Sequence, residues 1–304
     1  MIGAIELGLI YGIMALGVYL TFRVLNFPDL TVDGSFTSGA ATAAILVSEG
    51  TNPWVATLAG GGVGLLAGVF TGLLYAKGKI DGLLAGILTM IALWSINLRI
   101  MGTANISLLR ENTLITSLRE AGFLGKSFAG SGIFAAVVLV FVVAVFWFLH
   151  TNLGLSIQAT GNNAQMIRAY GVNTDNTAIL TLALSNMFVG LCGAVMAQYQ
   201  GFADISMGIG LILVGLASVI LGQAILGQRS IFIAALAAVV GSVIYRIIIY
   251  FALDLGLSPN DMKAITAGLV ILALLLPRWG FLKKIPTLRG GRLIPSAVEA
   301  NKGS

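Results

Sequence analysis

An all-α, polytopic membrane protein of about nine crossing segments, with eight to ten as the range, is the fold class this sequence predicts, and three observations predict it. Hydrophobic residues make up 58% of the chain and charged residues 10%, with a mean hydropathy of +0.98, where soluble domains carry roughly 25% charged residues. Apolar runs approaching the roughly 20 residues that a membrane helix needs recur along the whole chain, separated by short polar intervals. The 39 glycines are scattered through those runs rather than gathered in linkers, which suits helices packed closely in lipid. The single cysteine, Cys192, lies inside an apolar run, so no disulfide can form within the chain. The net charge of +5 comes from basic residues beside the runs, where they set topology; no nucleic-acid partner is implied.

The first run, 2–22, contains Glu6 and has no basic stretch before it, so it reads as a retained helix and not as a cleaved signal peptide. Polar and helix-breaking residues follow: Asn26, Pro28, Asp29, Thr31, Asp33 and Gly34. Irregular backbone at membrane depth is tolerated only against protein or a water-filled cavity. The spacing therefore predicts a broken helix over 26–35 beside a solute path; the other reading is an interfacial loop with Asp33 capping the next helix. A short second run covers 36–47. The third, 54–76, carries Gly60, Gly64, Gly68 and Gly72 at four-residue intervals, which puts all four on one helix face and lets another backbone approach.

Lys77 and Lys79 close that run, and Asp81 opens the fourth, 82–101. Its Thr89, Ser95 and Asn97 are expected to face the bundle interior or a cavity, and hydrogen bonds between helices explain them as well as solute contact does. Residues 102–132, with Arg110, Glu111, Arg119, Glu120 and Lys126, contain no full-length run and read as an external element. Gly125, Lys126 and Ser127 resemble the end of a phosphate-binding loop, but Glu120 stands where that motif needs glycine, so no ATP site is expected in this chain.

The fifth run, 133–149, leads into the polar interval 150–176. There Asn162 and Asn163 can cap a helix over 164–170 that Gly171 ends. This short helix would lie outside the membrane, tied to spanning helices at both ends; a plain connecting loop is the alternative. The remaining runs are 177–197, 207–226, 231–253 and the short 264–276, which ends at Pro277 before a basic tail, 278–304.

With that tail in the cytoplasm, eleven Lys and Arg residues fall on the cytoplasmic side and five outside, which puts the amino terminus outside. Arg246 lies within the eighth run. It is expected to face a cavity, to meet Asp254, Asp204 or a carbonyl, or to snorkel outward. His150 reads as interfacial. No clustered His, Cys or acidic set points to metal or nucleophile chemistry, and the chain shows no inverted repeat with mid-membrane charges of the kind a stand-alone secondary transporter carries.

The segments LNFPDLTVDGSFTSGAA at 25–41 and GNNAQMIRAYGVNTDN at 161–176 resemble the permease subunits of ATP-binding cassette importers of the branched-chain amino acid and ribose class, more narrowly the subgroup linked to aromatic amino acids or uncharacterised substrates. The resemblance covers nearly the whole chain, from Glu6 to about Leu276. It implies a bacterial plasma-membrane permease that pairs with a second copy, expected to be identical. Its other implied partners are two cytoplasmic ATPases that hold Mg-ATP and an external substrate-binding protein. It also implies that Gly161, Asn163, Ala164, Met166, Ile167, Arg168, Tyr170, Gly171 and Asn173 belong to a cytoplasmic coupling helix and its flanks. Asn26, Asp29, Thr31, Asp33, Thr89, Ser95, Asn97 and Arg246 are then the candidate pathway residues. The acidic residue of the coupling motif in other importer classes is missing here.

Overall fold

The structure is a computed structural model that describes residues 1–116, 128–255 and 262–275. Its helices are α1 (Ile2–Tyr19), continued by a π-helical turn (Leu20–Val24), α2 (Thr31–Ser48), α3 (Pro53–Ala76), α4 (Gly82–Met101), α5 (Phe128–Leu149), α6 (Asn152–Asn162), α7 (Ala164–Ala169), α8 (Thr174–Gln200), α9 (Leu211–Leu226), α10 (Ile231–Asp254) and α11 (Met262–Leu275). Each apolar run is a helix. Among the described residues, six helices are long and apolar enough to cross a membrane: α1 with its π turn, α3, α4, α5, α8 and α10. Of the other apolar helices, α9 falls short by length and α2 by its polar residues, and 14 residues of α11 are described.

Short polar residues set the helix ends. Asn52 accepts the Trp54 N–H ahead of Pro53, Asp81 accepts those of Leu83 and Leu84, and Asn173 accepts those of Asp175 and Asn176; each side chain satisfies donors that the first turn leaves open. Two departures from the sequence reading are small. Residues Asn105–Ser107 (β1) pair antiparallel with Phe202–Asp204 (β2), so the chain is not purely helical. The polar interval 150–176 folds as two helices: α6 starts where the Thr151 hydroxyl accepts the Gly154 N–H, and α7 spans 164–169.

α1 and α8 form the centre. α1 packs against α10, α8, α5 and α9, and its Glu6 is 1% exposed, accepting a bond from the Tyr199 hydroxyl at 2.8 Å. α8 packs against α3, α2 and α1. The α3–α8 contact is a close seam: a Cβ on Gly64 would lie 2.2 Å from the Asn186 carbonyl oxygen, and one on Gly68 2.2 Å from that of Leu182. Gly60 and Gly72 face Ala194 and Ile179 of the same helix. One end of the bundle carries α6 and α7, and the other carries the strand pair.

Candidate functional site

The chain breaks between α1 and α2 over residues 25–30, a shorter stretch than the 26–35 expected from sequence. Thr31, Asp33 and Ser35 are already helical, because the Asp29 carboxylate accepts the Thr31 N–H at 2.9 Å and starts the helix there. Asn26 holds a left-handed backbone with φ +60°, and the Phe27 N–H returns to the Thr21 carbonyl at 2.8 Å. The break starts at the α6–α7 end, where Asn26 and Pro28 are exposed, and runs inward to buried Asp29. Asp29 accepts a bond at 2.7 Å from the amide of Asn186, twelve residues past the start of α8 and so about 18 Å along it.

Around this break, buried polar side chains are bonded to one another. The Thr31 hydroxyl lies 2.7 Å from that of Thr71, which bonds Thr89 at 2.9 Å, joining α2, α3 and α4. Asn97 accepts from the Ser38 hydroxyl at 2.7 Å and donates to the Gly34 carbonyl at 3.4 Å. Asp33 does not cap its own helix. It reaches across to α9 and accepts the N–H groups of Gly210 at 2.7 Å and Ile212 at 2.8 Å. The start of α9, where unpaired N–H groups and the helix dipole favour an anion, therefore rests on a carboxylate of α2.

Two sequence expectations about placement change. Ser95 is exposed and points away from the interior that holds Thr89 and Asn97; it sits two residues before Asn97, about 200° around the helix. Arg246 forms no ion pair with Asp204 or Asp254. Its guanidinium carbon lies 3.9 Å from the Tyr11 ring centroid, a cation–π contact, and its Nε is buried without a hydrogen-bond partner. Asn186, Thr71, Gly210 and Ile212 were not singled out from sequence, because each is defined by a partner at least 40 residues away.

At the α6–α7 end, a Cβ on Gly161 would lie 1.9 Å from the Val24 carbonyl oxygen, so α6 seats directly on the π turn of α1. Asn163 accepts the Met166 N–H at 2.9 Å and caps α7. Met166 and Tyr170 are exposed, Tyr170 by 78%, Ile167 is partly so, and Gly171 has φ +84°. Ala164 and Arg168 face a cavity toward α3 and α8. Arg168 bonds Thr174 through Nε and Asp175 through Nη2 at 2.9 Å, and Asp175 also meets Lys79 Nζ at 3.4 Å. One carboxylate thus ties the short helix to the start of α8 and to the α3–α4 turn.

At the opposite end, Asp204 accepts from the Ser206 hydroxyl and N–H and from the Asn105 amide at 3.3 Å. These bonds, the Ser206 hydroxyl foremost, hold its carboxyl below the usual carboxylate range. Among the described residues no three His, Cys, Asp or Glu side chains are grouped to hold a metal ion.

A multi-pass helical bundle, with one helix broken beside buried polar side chains and a two-helix loop at one end, has the build of a membrane transport subunit. The family described as branched-chain amino acid transport system, permease component, matches residues 1–275, and the chain belongs to it. It is 43% identical over 265 residues, 86% of each chain, to a tyrosine transport system permease protein of Clostridioides difficile. It is also 31% identical over 268 residues, 87% of this chain and 74% of the relative, to an autoinducer 2 import system permease protein of Escherichia coli. A ribose import permease protein of Escherichia coli is 26% identical over 271 residues, 87% of this chain and 81% of the relative. No solved structure matches. The chain is the permease component of an ATP-binding cassette import system, a class that works with an ATPase and a substrate-binding protein.

Proposed function

We propose that this permease carries an amino acid, with an aromatic side chain as the best-supported choice, delivered by an external binding protein and driven by a separate ATPase. The similarity to the tyrosine transport permease over 86% of both chains carries this reading. In it, two copies of the chain form a homodimer, two ATPase subunits hold Mg-ATP, and no cofactor is held here. All nine apolar helices belong to the membrane domain, residues 1–277, with α2, α9 and α11 completing the six longer spans. The amino terminus lies outside and the tail, 278–304, inside the cell. The excess of Lys and Arg that the sequence places on the α6–α7 side supports this orientation.

The proposed cytoplasmic contact is α7 with its flanks. Exposed Met166 and Tyr170 offer a surface for the ATPase, while the Arg168–Asp175–Lys79 cluster gives displacement of α7 a route to α8 and to the α3–α4 turn. The break at 25–30 and its polar neighbours, Asp29, Thr31, Asp33, Thr89 and Asn97, line or gate the path; Asn26 stands at its mouth, and Ser95 and Arg246 lie away from the break. The strand pair with residues 102–116 and 198–207 forms the proposed contact for the binding protein, and the external element continues over 117–127, outside the described residues. ATP binding can shift the bundle only by the difference in its interaction with the two conformations.

The test is a pull-down of the tagged permease from native membranes with an ATPase assay of the recovered complex. Recovery of a stoichiometric ATPase that is lost on deleting 161–171 is the expected result. Permease recovered alone, and moving solute down its gradient by itself, would sink the reading.

A further inference from the structure

A cavity of about 390 Å³ opens at the α6–α7 end between the α1–α2 break, the α3–α4 turn and the start of α8; its walls include Asn26, Phe27, Tyr75, Lys79, Arg168 and Asp175. Three observations single it out. Asn26 and Lys79, with φ +60° and +54°, are the two non-glycine residues among those described that hold a left-handed backbone, and both line this space. Such conformations are disfavoured for side-chain-bearing residues and gather at ligand sites. The charges do not balance: Lys79 and Arg168 share the single carboxylate of Asp175, and their side chains are 69% and 57% exposed. The second acidic wall residue, Asp81, is committed to the first turn of α4 through the Leu83 and Leu84 N–H groups. Phe27 and Tyr75 add an aromatic wall, packed edge to face with centroids 4.9 Å apart. A cavity of this size, with a few convergent polar groups and an aromatic wall, is what a small-molecule site requires.

We propose that this cavity binds a small aromatic carboxylate, and that its natural occupant is the amino acid released on that side, acting as a feedback ligand. The assignment of the occupant rests on the proposed function; the binding chemistry rests on the cavity alone. The carboxylate meets Lys79 and Arg168, and the ring lies against Phe27 and Tyr75. Because Arg168 belongs to α7 and also holds Asp175, an occupant that draws the guanidinium away weakens the link from α7 to α8. Accumulated product then slows its own import.

Calorimetric titration of the purified permease in nanodiscs with L-tyrosine, 3-phenylpropionate and tyramine tests this. The first two share a carboxylate and tyramine lacks it, so they are expected to bind at least about tenfold more tightly. Lys79→Asn removes the charge while keeping a residue that tolerates positive φ. Tyr75→Leu removes the ring from a partly exposed position. Each is expected to weaken L-tyrosine binding about fivefold or more, a factor that about 1 kcal/mol of lost contact produces. Absence of binding, equal binding of tyramine, or binding untouched by both variants overturns the cavity site. Pull-down of the ATPase with the same permease from native membranes separates the two readings: retained assembly without ligand binding rejects the site alone, and ligand binding without assembly rejects the proposed function.

Discussion

Along the α3–α8 seam two helices touch because side chains are missing, whereas around the first turns of α2 polar side chains fill the space that helices leave between them. Both solve the problem of packing in lipid, where apolar burial gives helices no reason to choose one neighbour over another. The seam chooses by shape: only glycine admits the carbonyls of Leu182 and Asn186 at Gly68 and Gly64. The start of α2 chooses by hydrogen bonds, each demanding one partner at one place. Shape alone makes a rigid contact, and a set of exchangeable polar bonds makes one that can be remade. The moving part of a transport cycle is therefore expected where the first turns of α2 meet α9, and not along the glycine contacts that join α3 to α8, α2 to α8 and α9 to α10.

The largest effect separating the two regions is expected at the seam. Gly64→Val forces a branched side chain onto the Asn186 carbonyl 2.2 Å away and should cost about 3 kcal/mol or more, the upper part of the usual overpacking range, read as loss of a monodisperse protein in detergent. Gly62→Ala, on the same helix with open space around it, should leave the melting temperature unchanged; equal damage from both would break the contrast.

Next comes the α2–α9 contact. Asp33→Ala strands the Gly210 and Ile212 N–H groups and should lower stability by about 1–3 kcal/mol for each, whereas Asp33→Asn keeps one acceptor and should recover part of it. If the contact is remade during transport, uptake by the Asn variant falls more than its melting temperature does. A smaller effect, about 0.5–1 kcal/mol, is expected for Thr71→Val, which interrupts the Thr31–Thr71–Thr89 chain.

Smallest is the response to acid at the strand pair. Asp204 has its carboxyl held low by Ser206 and Asn105, so its contribution is present above the usual carboxylate pKa and is lost as the pH falls through it toward the lowered folded value. Asp204→Asn should flatten that part of the stability–pH curve, measured by thermal melts across the acidic range, with little change at neutral pH.

The seam was legible because it is written at one helical period, as was the cap Asn163, whose partner lies within three residues. The polar site was legible only as a list of residue types. Asp29 finds Asn186 across 157 residues and Asp33 finds Gly210 across 177, and no local pattern records such a pairing. Ser95 and Asn97 differ by two positions on one helix, too fine a distinction for a run that is apolar nearly all round. For Arg246 the acidic partners do not appear because its partner carries no charge: the face of Tyr11 attracts a cation without any acidic residue to announce it. α6 went unread because Thr151 starts it with a single hydroxyl inside a stretch of polar residues.

Asp33 also carries an expectation about the order of events during synthesis. It emerges from the ribosome with α2, but the N–H groups that receive its carboxylate are made 177 residues later. α2 is too polar to count among the helices that cross by composition alone, and a carboxylate without partners is costly in lipid. The second helix made is thus expected to be among the last seated, and a chain truncated before α9 should leave α2 at the membrane surface.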